Sequence, residues 1–66
     1  MYKITDQTGR HLDSGSTRKQ VLAAVQRLLS DTEITLPRMP EVGKQIVLAL
    51  PIGKYVGVTE LRIAVV

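Results

Sequence analysis

Three residues of the types used in hydrolytic enzymes lie close together near the N-terminus: His11, Asp13 and Ser14. On an extended strand His11 and Asp13 would share a face, as a catalytic base and its orienting carboxylate do. A nucleophilic site, however, needs side chains that converge from separate elements around a pocket, and these three are neighbours on one short segment. We therefore expect no catalytic residue and a protein that is not an enzyme.

Metal, cofactor and nucleotide sites have no sequence signal. The chain contains no cysteine, His11 is the only histidine, and the six acidic residues show no metal-ligand spacing. A divalent cation needs clustered oxygen ligands. Neither GxxxxGK[ST] nor GxGxxG, the glycine-rich phosphate-binding patterns, occurs. We expect no metal site, no cofactor and no small-molecule substrate.

A helix start lies within SGSTRK, residues 14–19. Thr17 and Gln20 have the spacing of a capping box, in which each side chain bonds the backbone N–H of the other residue. Arg18 and Lys19 follow at once, although the positive end of the helix dipole disfavours cations in the first turn. Two interpretations remain: the segment binds an anion with its free amides, or the two cations only extend into solvent.

The first half of the chain predicts a hairpin and one helix. Apolar and polar residues alternate in residues 2–5, YKIT, and the turn DQTGR, residues 6–10, lets residues 10–13 pair back. Beyond Thr17 the apolar residues recur at helical spacing and form one stripe. The stripe contains Val21, Leu22, Val25, Leu28 and Leu29.

The second half predicts three further strands. TEITL, residues 32–36, alternates, and two prolines then confine residues 37–43 to a loop. QIVLAL, residues 45–50, is strongly β, as is YVGVTELRIAVV, residues 55–66, in which Gly57 marks a bulge or bend. The chain is therefore one domain, residues 1–66, of the α+β class, with the order β-β-α-β-β-β. We expect a small, mostly antiparallel sheet with one amphipathic helix packed on one face.

One helix can cover only one face of a sheet. The last two strands also have apolar residues that alternate with the core residues and point to the other face, and these residues need something else to cover them. The chain also ends on IAVV without a charged residue that would protect a sheet edge. We expect these residues to form an interface, with a homodimer or another protein as partner; the alternative is a curled sheet that takes both sets into one core. The expected interface residues are Val47, Ala49, Val56, Val58, Ala64 and Val66.

The net positive charge favours an anionic partner only weakly. Nine Lys and Arg against six Asp and Glu give a net charge of +3, and the cations are scattered, with one adjacent pair. Two tyrosines and no Phe or Trp leave little for stacking on bases, so the nucleic-acid alternative is a sequence-nonspecific binder of the phosphate backbone. The expected basic binding residues, with their polar neighbours, are Arg10, Ser16, Thr17, Arg18, Lys19, Lys44 and Lys54.

Length sets the remaining expectations. A chain of 66 residues buries a small core, and with no disulfide or metal it gains most from self-association. The N-terminal residues lack the pattern of a signal peptide, and no apolar run is long enough to span a bilayer, so we expect a cytoplasmic protein without membrane contact. The function we expect is that of a small regulator or inhibitor that binds another macromolecule.

Overall fold

A computed structural model describes residues 1–66 as four strands and one helix. The strands are β1 (Tyr2–Asp6), β2 (His11–Gly15), β3 (Gln45–Ala49) and β4 (Glu60–Val65), and the helix α1 (Arg18–Leu29) follows β2. All neighbouring strands are antiparallel, in the order β2-β1-β4-β3. The expected α+β class, with one helix on an antiparallel sheet, is confirmed.

The hairpin of β1 and β2 closes around a carboxylate. Oδ1 of Asp6 accepts hydrogen bonds from the backbone N–H of Thr8 at 2.8 Å, from its hydroxyl at 2.6 Å and from the backbone N–H of Arg10 at 3.1 Å. Gly9 has a φ of 87°, which glycine adopts without strain. The predicted turn over residues 6–10 is therefore present, and a side chain organises it.

Helix α1 begins where the capping box predicts, but the Gln20 side chain bonds the backbone N–H of Ser16 and not that of Thr17. The Thr17 hydroxyl accepts the Gln20 N–H at 3.2 Å, and the Gln20 side chain accepts the Ser16 N–H at 2.7 Å. The buried residues are Val21, Ala24, Val25 and Leu29. Leu28, predicted to be on the buried stripe, is 38% exposed, because the helix turns Ala24 toward the sheet. The helix lacks the length and apolar character that crossing a bilayer requires.

The predicted strand over residues 32–36 is wrong: this segment is irregular, and two strands rather than three follow the helix. The Gln26 side-chain amide donates to the carbonyl oxygens of Thr32 at 3.1 Å and Ile34 at 3.2 Å. A side chain of the helix therefore supplies hydrogen bonds to carbonyl groups of residues 32–36 that a neighbouring strand would supply in a sheet. The alternation of apolar residues still has a structural role, since Leu36 is buried and Ile34 is half-buried against the core.

The long strand predicted over residues 55–66 is shorter than expected. Residues 52–57 form turns, and β4 begins only at Glu60. Gly57 has a φ of 75°, a left-handed conformation, and lies in a turn before β4 rather than at a bulge or bend within a strand. The Tyr55 hydroxyl donates to Asp31 at 2.9 Å and ties this loop to the exit of the helix.

The core lies between one face of the sheet and a cover made by the helix and the loop after it. Strand β4 is central: Ile63 pairs with Ile4 of β1 on one side and with Ile46 of β3 on the other. The C-terminal IAVV is thus an interior strand, and the expectation of a free edge there is wrong. The buried apolar residues are Ile4, Val21, Ala24, Val25, Leu29, Leu36, Leu61 and Ile63.

Candidate interaction site

The cations at the start of the helix have different surroundings. Nη2 of Arg18 donates to the carbonyl oxygen of Leu36 at 2.7 Å, so this side chain fastens the loop after the helix. Lys19 is exposed, with no hydrogen bond or ion pair. The first turn therefore accepts Arg18 because the guanidinium has a carbonyl partner within the chain. Arg18 thus has a partner within the chain, a carbonyl oxygen, which adds a third interpretation to the anion and the solvent considered above.

We expect Arg18→Met to lower the free energy of unfolding by about 1 kcal/mol, because the apolar stem is kept and one charge-assisted hydrogen bond to a carbonyl is lost. Lys19→Met is the matched control and should leave stability unchanged. Urea denaturation followed by circular dichroism measures both variants. Equal losses in the two variants would show that the Leu36 contact contributes nothing.

The expected basic residues do not gather on one surface. Arg10 lies in the turn after β1 and Lys54 in the loop after β3, at one end of the sheet. Residues 16–19 and Lys44 lie at the opposite end, about 17 Å away along a five-residue strand. At that end, residues 16–19 follow β2 and Lys44 precedes β3. These are the two outer strands, so the two groups lie on opposite sides of the sheet. The structure thus distributes this set over both ends of the sheet and both of its sides.

Two of the same cations have acidic neighbours. Nζ of Lys54 lies 3.7 Å from the Asp31 carboxylate and 5.5 Å from the ring centre of Tyr55. Nζ of Lys44 lies 4.0 Å from Glu41, and both of these side chains are largely exposed. The positive field that Lys54 and Lys44 offer to an external anion is reduced accordingly.

Three aspartates have pKa values below the usual range for a carboxyl. The main cause at Asp6 is the hydrogen bond from the Thr8 hydroxyl. At the other two, a backbone N–H bond has the largest effect, assisted by a side chain: Ser14 N–H and then Arg27 at Asp13, Glu33 N–H and then the Tyr55 hydroxyl at Asp31. Each of these carboxylates is therefore more acidic in the folded chain than in the unfolded chain.

This difference predicts acid destabilisation. A carboxyl with a lowered folded-state pKa stabilises the fold above its unfolded pKa, about 4, and the contribution is lost as pH falls through the lower, folded-state value. We expect urea midpoints that are flat from pH 7 to about pH 5 and that decline below about pH 4. Asp6→Asn, which keeps an acceptor oxygen but cannot ionise, should flatten part of the decline. An unchanged profile in this variant would contradict the role of Asp6.

The three residues considered for catalysis do not form a catalytic arrangement. The Asp13 carboxylate accepts the Ser14 N–H at 2.8 Å and the Arg27 guanidinium at 3.0 Å, so its hydrogen bonds do not orient His11. His11 itself is exposed. No three His, Asp or Glu side chains come together as a group that could hold a metal ion.

The sheet has one face without a helix, which we call the open face. The strand registers place Val47 and Ala49 of β3 there, opposite Arg62 and Glu60 of β4, and they place Ala64 opposite Gln45. Val47 is 49% exposed. The open face also carries the polar side chains of Lys3, Thr5, Gln45, Glu60 and Arg62, with Arg62 bonded to Glu60 at 2.6 Å.

The remaining residues of the expected interface lie elsewhere. Val56 is fully exposed at the tip of the loop between β3 and β4, and Val58 packs against the core. Val66 is 68% exposed beyond β4 and donates its N–H to the Met1 carbonyl at 2.9 Å. Three of the six residues, Val47, Ala49 and Ala64, therefore share the open face, where polar residues lie opposite each of them. Of the six, only Val58 packs against the core, as the curled-sheet alternative would require.

Strand β3 is an outer strand with one unpaired side. The Leu50 N–H bonds the Thr59 carbonyl at 3.0 Å, and in an antiparallel ladder this phase directs Ile46 and Leu48 toward β4. The backbone groups of the alternate residues point away from the sheet. These outward N–H and C=O groups belong to Gln45, Val47 and Ala49, and we call them the β3 edge.

The β3 edge lacks the devices that usually protect an outer strand. QIVLA contains no charged residue and no proline, and its register with β4 has no bulge. Two open clefts, of about 270 and 320 Å³, border its first residues. Both clefts are lined by Lys44 and Gln45. The first cleft is also lined by residues 38–41 of the preceding loop, and the second by Ala64 and Val65 of β4.

The β3 edge was not expected from the sequence, because the absence of charge in IAVV had predicted the free strand at the C-terminus. One signal was available: IAVV is apolar on both faces, which is typical of a central strand. QIVLAL is also apolar on both faces, however, so this pattern alone cannot show which of the two strands is central and which is at the edge. Comparisons of this chain with protein-family models, with curated proteins and with solved structures found no match.

Proposed function

We propose that this chain is a non-enzymatic interaction protein that acts by binding an extended protein segment on the β3 edge, as an added strand. The observation that carries the proposal is the row of unpaired backbone groups at Gln45, Val47 and Ala49. In strand addition, backbone hydrogen bonds supply affinity and alternate side chains supply specificity. The added strand belongs either to another protein or to a second copy of this chain.

The side chains of β3 offer contacts on both faces of an added strand. Ile46 and Leu48 are half-buried on the core face, where the outermost strand leaves them partly uncovered. Val47 lies on the open face with half of its surface exposed. An added strand would bury further apolar area at all three residues, which favours association.

The paired cations favour a protein partner over nucleic acid. Arg27, Lys54 and Arg62 lie within 4 Å of carboxylates, and Arg18 bonds a carbonyl. The Tyr55 hydroxyl is held by Asp31, so this ring is tied to the chain. A phosphate-binding surface would need accessible cations side by side, and base stacking would need free aromatic rings.

Photo-crosslinking in cells of the source organism tests the proposal. A benzoylphenylalanine residue is placed at position 47, on the β3 edge, or at position 56, on the exposed loop tip, as the matched control. We expect a discrete protein adduct from position 47 and none from position 56. Adducts that disappear with nuclease, or no adduct at position 47, would overturn the assignment, and the former outcome would support the nucleic-acid alternative.

A further inference from the structure

We infer that the segment on the β3 edge is β3 of a second copy of this chain, paired antiparallel about Val47. The inference rests on the proposed function, because it names the occupant of the same edge. The two four-stranded sheets would become one continuous sheet with a two-fold axis at its centre.

The backbone of β3 is complementary to itself. The outward residues Gln45 and Ala49 lie two positions before and after Val47, so a two-fold axis at Val47 places Gln45 opposite Ala49 of the second copy. Every outward N–H then meets an outward C=O. The pairing forms about six inter-chain hydrogen bonds without shifting any bond to β4.

The side chains match across the same axis. On the core face Ile46 would lie opposite Leu48 of the second copy, and on the open face Val47 would lie opposite Val47. Facing apolar β-branched and aliphatic pairs stabilise antiparallel strands. The half-exposed residues that the single chain leaves uncovered would therefore cover each other.

Charge also favours a second copy. No residue from Gln45 to Ala49 is charged, so the pairing sets no like charges opposite each other. Lys44, just before the strand, would lie opposite Leu50, about 20 Å from Lys44 of the second copy. A partner strand with charged residues would place an uncompensated charge beside QIVLA. A second QIVLA strand places no charge there.

The contact is small, which predicts a reversible dimer. A five-residue edge buries less than the roughly 800 Å² per partner of a standard stable interface. We therefore expect the dimer to dissociate on dilution, by mass action.

Sedimentation velocity of the pure protein over a wide concentration range tests the dimer. We expect the mass to rise from one copy to two, and Val47→Lys to raise the concentration of half-dimerisation at least tenfold, because two ammonium groups would face each other at the axis. Val56→Lys is the matched control and should associate as the original chain does. Circular dichroism checks that both variants fold.

Amide hydrogen exchange of the original chain gives a second readout that needs no variant. The N–H groups of Ile46 and Leu48 bond β4 and should be protected at every concentration, whereas the Val47 N–H should gain protection only as the dimer forms. A monomer at all concentrations, or a dimer in which Val47 exchange is independent of concentration, overturns the inference. A monomer that crosslinks another protein at position 47 would leave the proposed function standing; a monomer without adducts would remove both.

Discussion

Ile63→Ala should lower the free energy of unfolding by about 2–5 kcal/mol, the range observed when a large buried side chain is truncated. Ile63 has no exposed surface and sits on the central strand, between Ile4 and Ile46. A domain of this size has a total stability of only a few kcal/mol, so we expect a large fraction of the variant to be unfolded at room temperature.

Urea denaturation with circular dichroism measures this loss, and Val56→Ala is the control. Val56 is fully exposed, so its truncation should change stability by less than about 0.5 kcal/mol. If Ile63→Ala unfolded at the same urea concentration as the original chain, the packing described for the sheet centre would be incorrect.

Leu36→Ala should be almost as damaging, with a loss of about 2–4 kcal/mol, although the residue belongs to no helix or strand. Its side chain is buried in the core cluster, and its carbonyl is the acceptor for Arg18. Truncation leaves a cavity beneath the loop and loosens the segment that closes one side of the core. Thermal denaturation should show a lower midpoint and a single transition.

Thr35→Ala is the matched control for this loop, because Thr35 is adjacent and exposed. We expect its midpoint to equal that of the original chain. A Leu36→Ala protein as stable as the Thr35→Ala protein would mean that the loop is a loose connection and that the sheet and helix alone form the core.

Local signals predicted the local structure. The capping box at Thr17 and Gln20 predicted the start of α1, and the Asp6–Gly9 turn predicted the first hairpin. In both cases the deciding interactions join residues no more than four positions apart. Such contacts depend little on the rest of the fold, which is why the sequence is sufficient to predict them.

Non-local contacts decided the features that sequence analysis missed. Residues 32–36 alternate as a strand does, yet Gln26 bonds two of their carbonyls and Leu36 enters the core, so the segment packs without a ladder. The order of the last two strands likewise depends on whether β1 pairs with β3 or with β4, which no periodicity encodes.

The candidate site also combines features that the local sequence pattern predicted and features that depend on non-local contacts. Val47 and Ala49 were predicted from their phase along β3, and they lie on the open face together. The status of β3 as an outer strand follows from the pairing of β1 with β4, across the whole length of the chain. Arg18 was chosen for its charge, and its partner was hidden because the Leu36 carbonyl lies eighteen residues away.

The central position of β4 also bears on synthesis of the chain. Translation completes β1, β2 and α1 first, but Ile4 then lacks the neighbouring strand that covers one side of it. An isolated two-stranded ribbon is only marginally stable in water. Strand β4, which is synthesised after the other three, is the one that joins β1 to β3, so the four-stranded sheet can close only after β4 has been made.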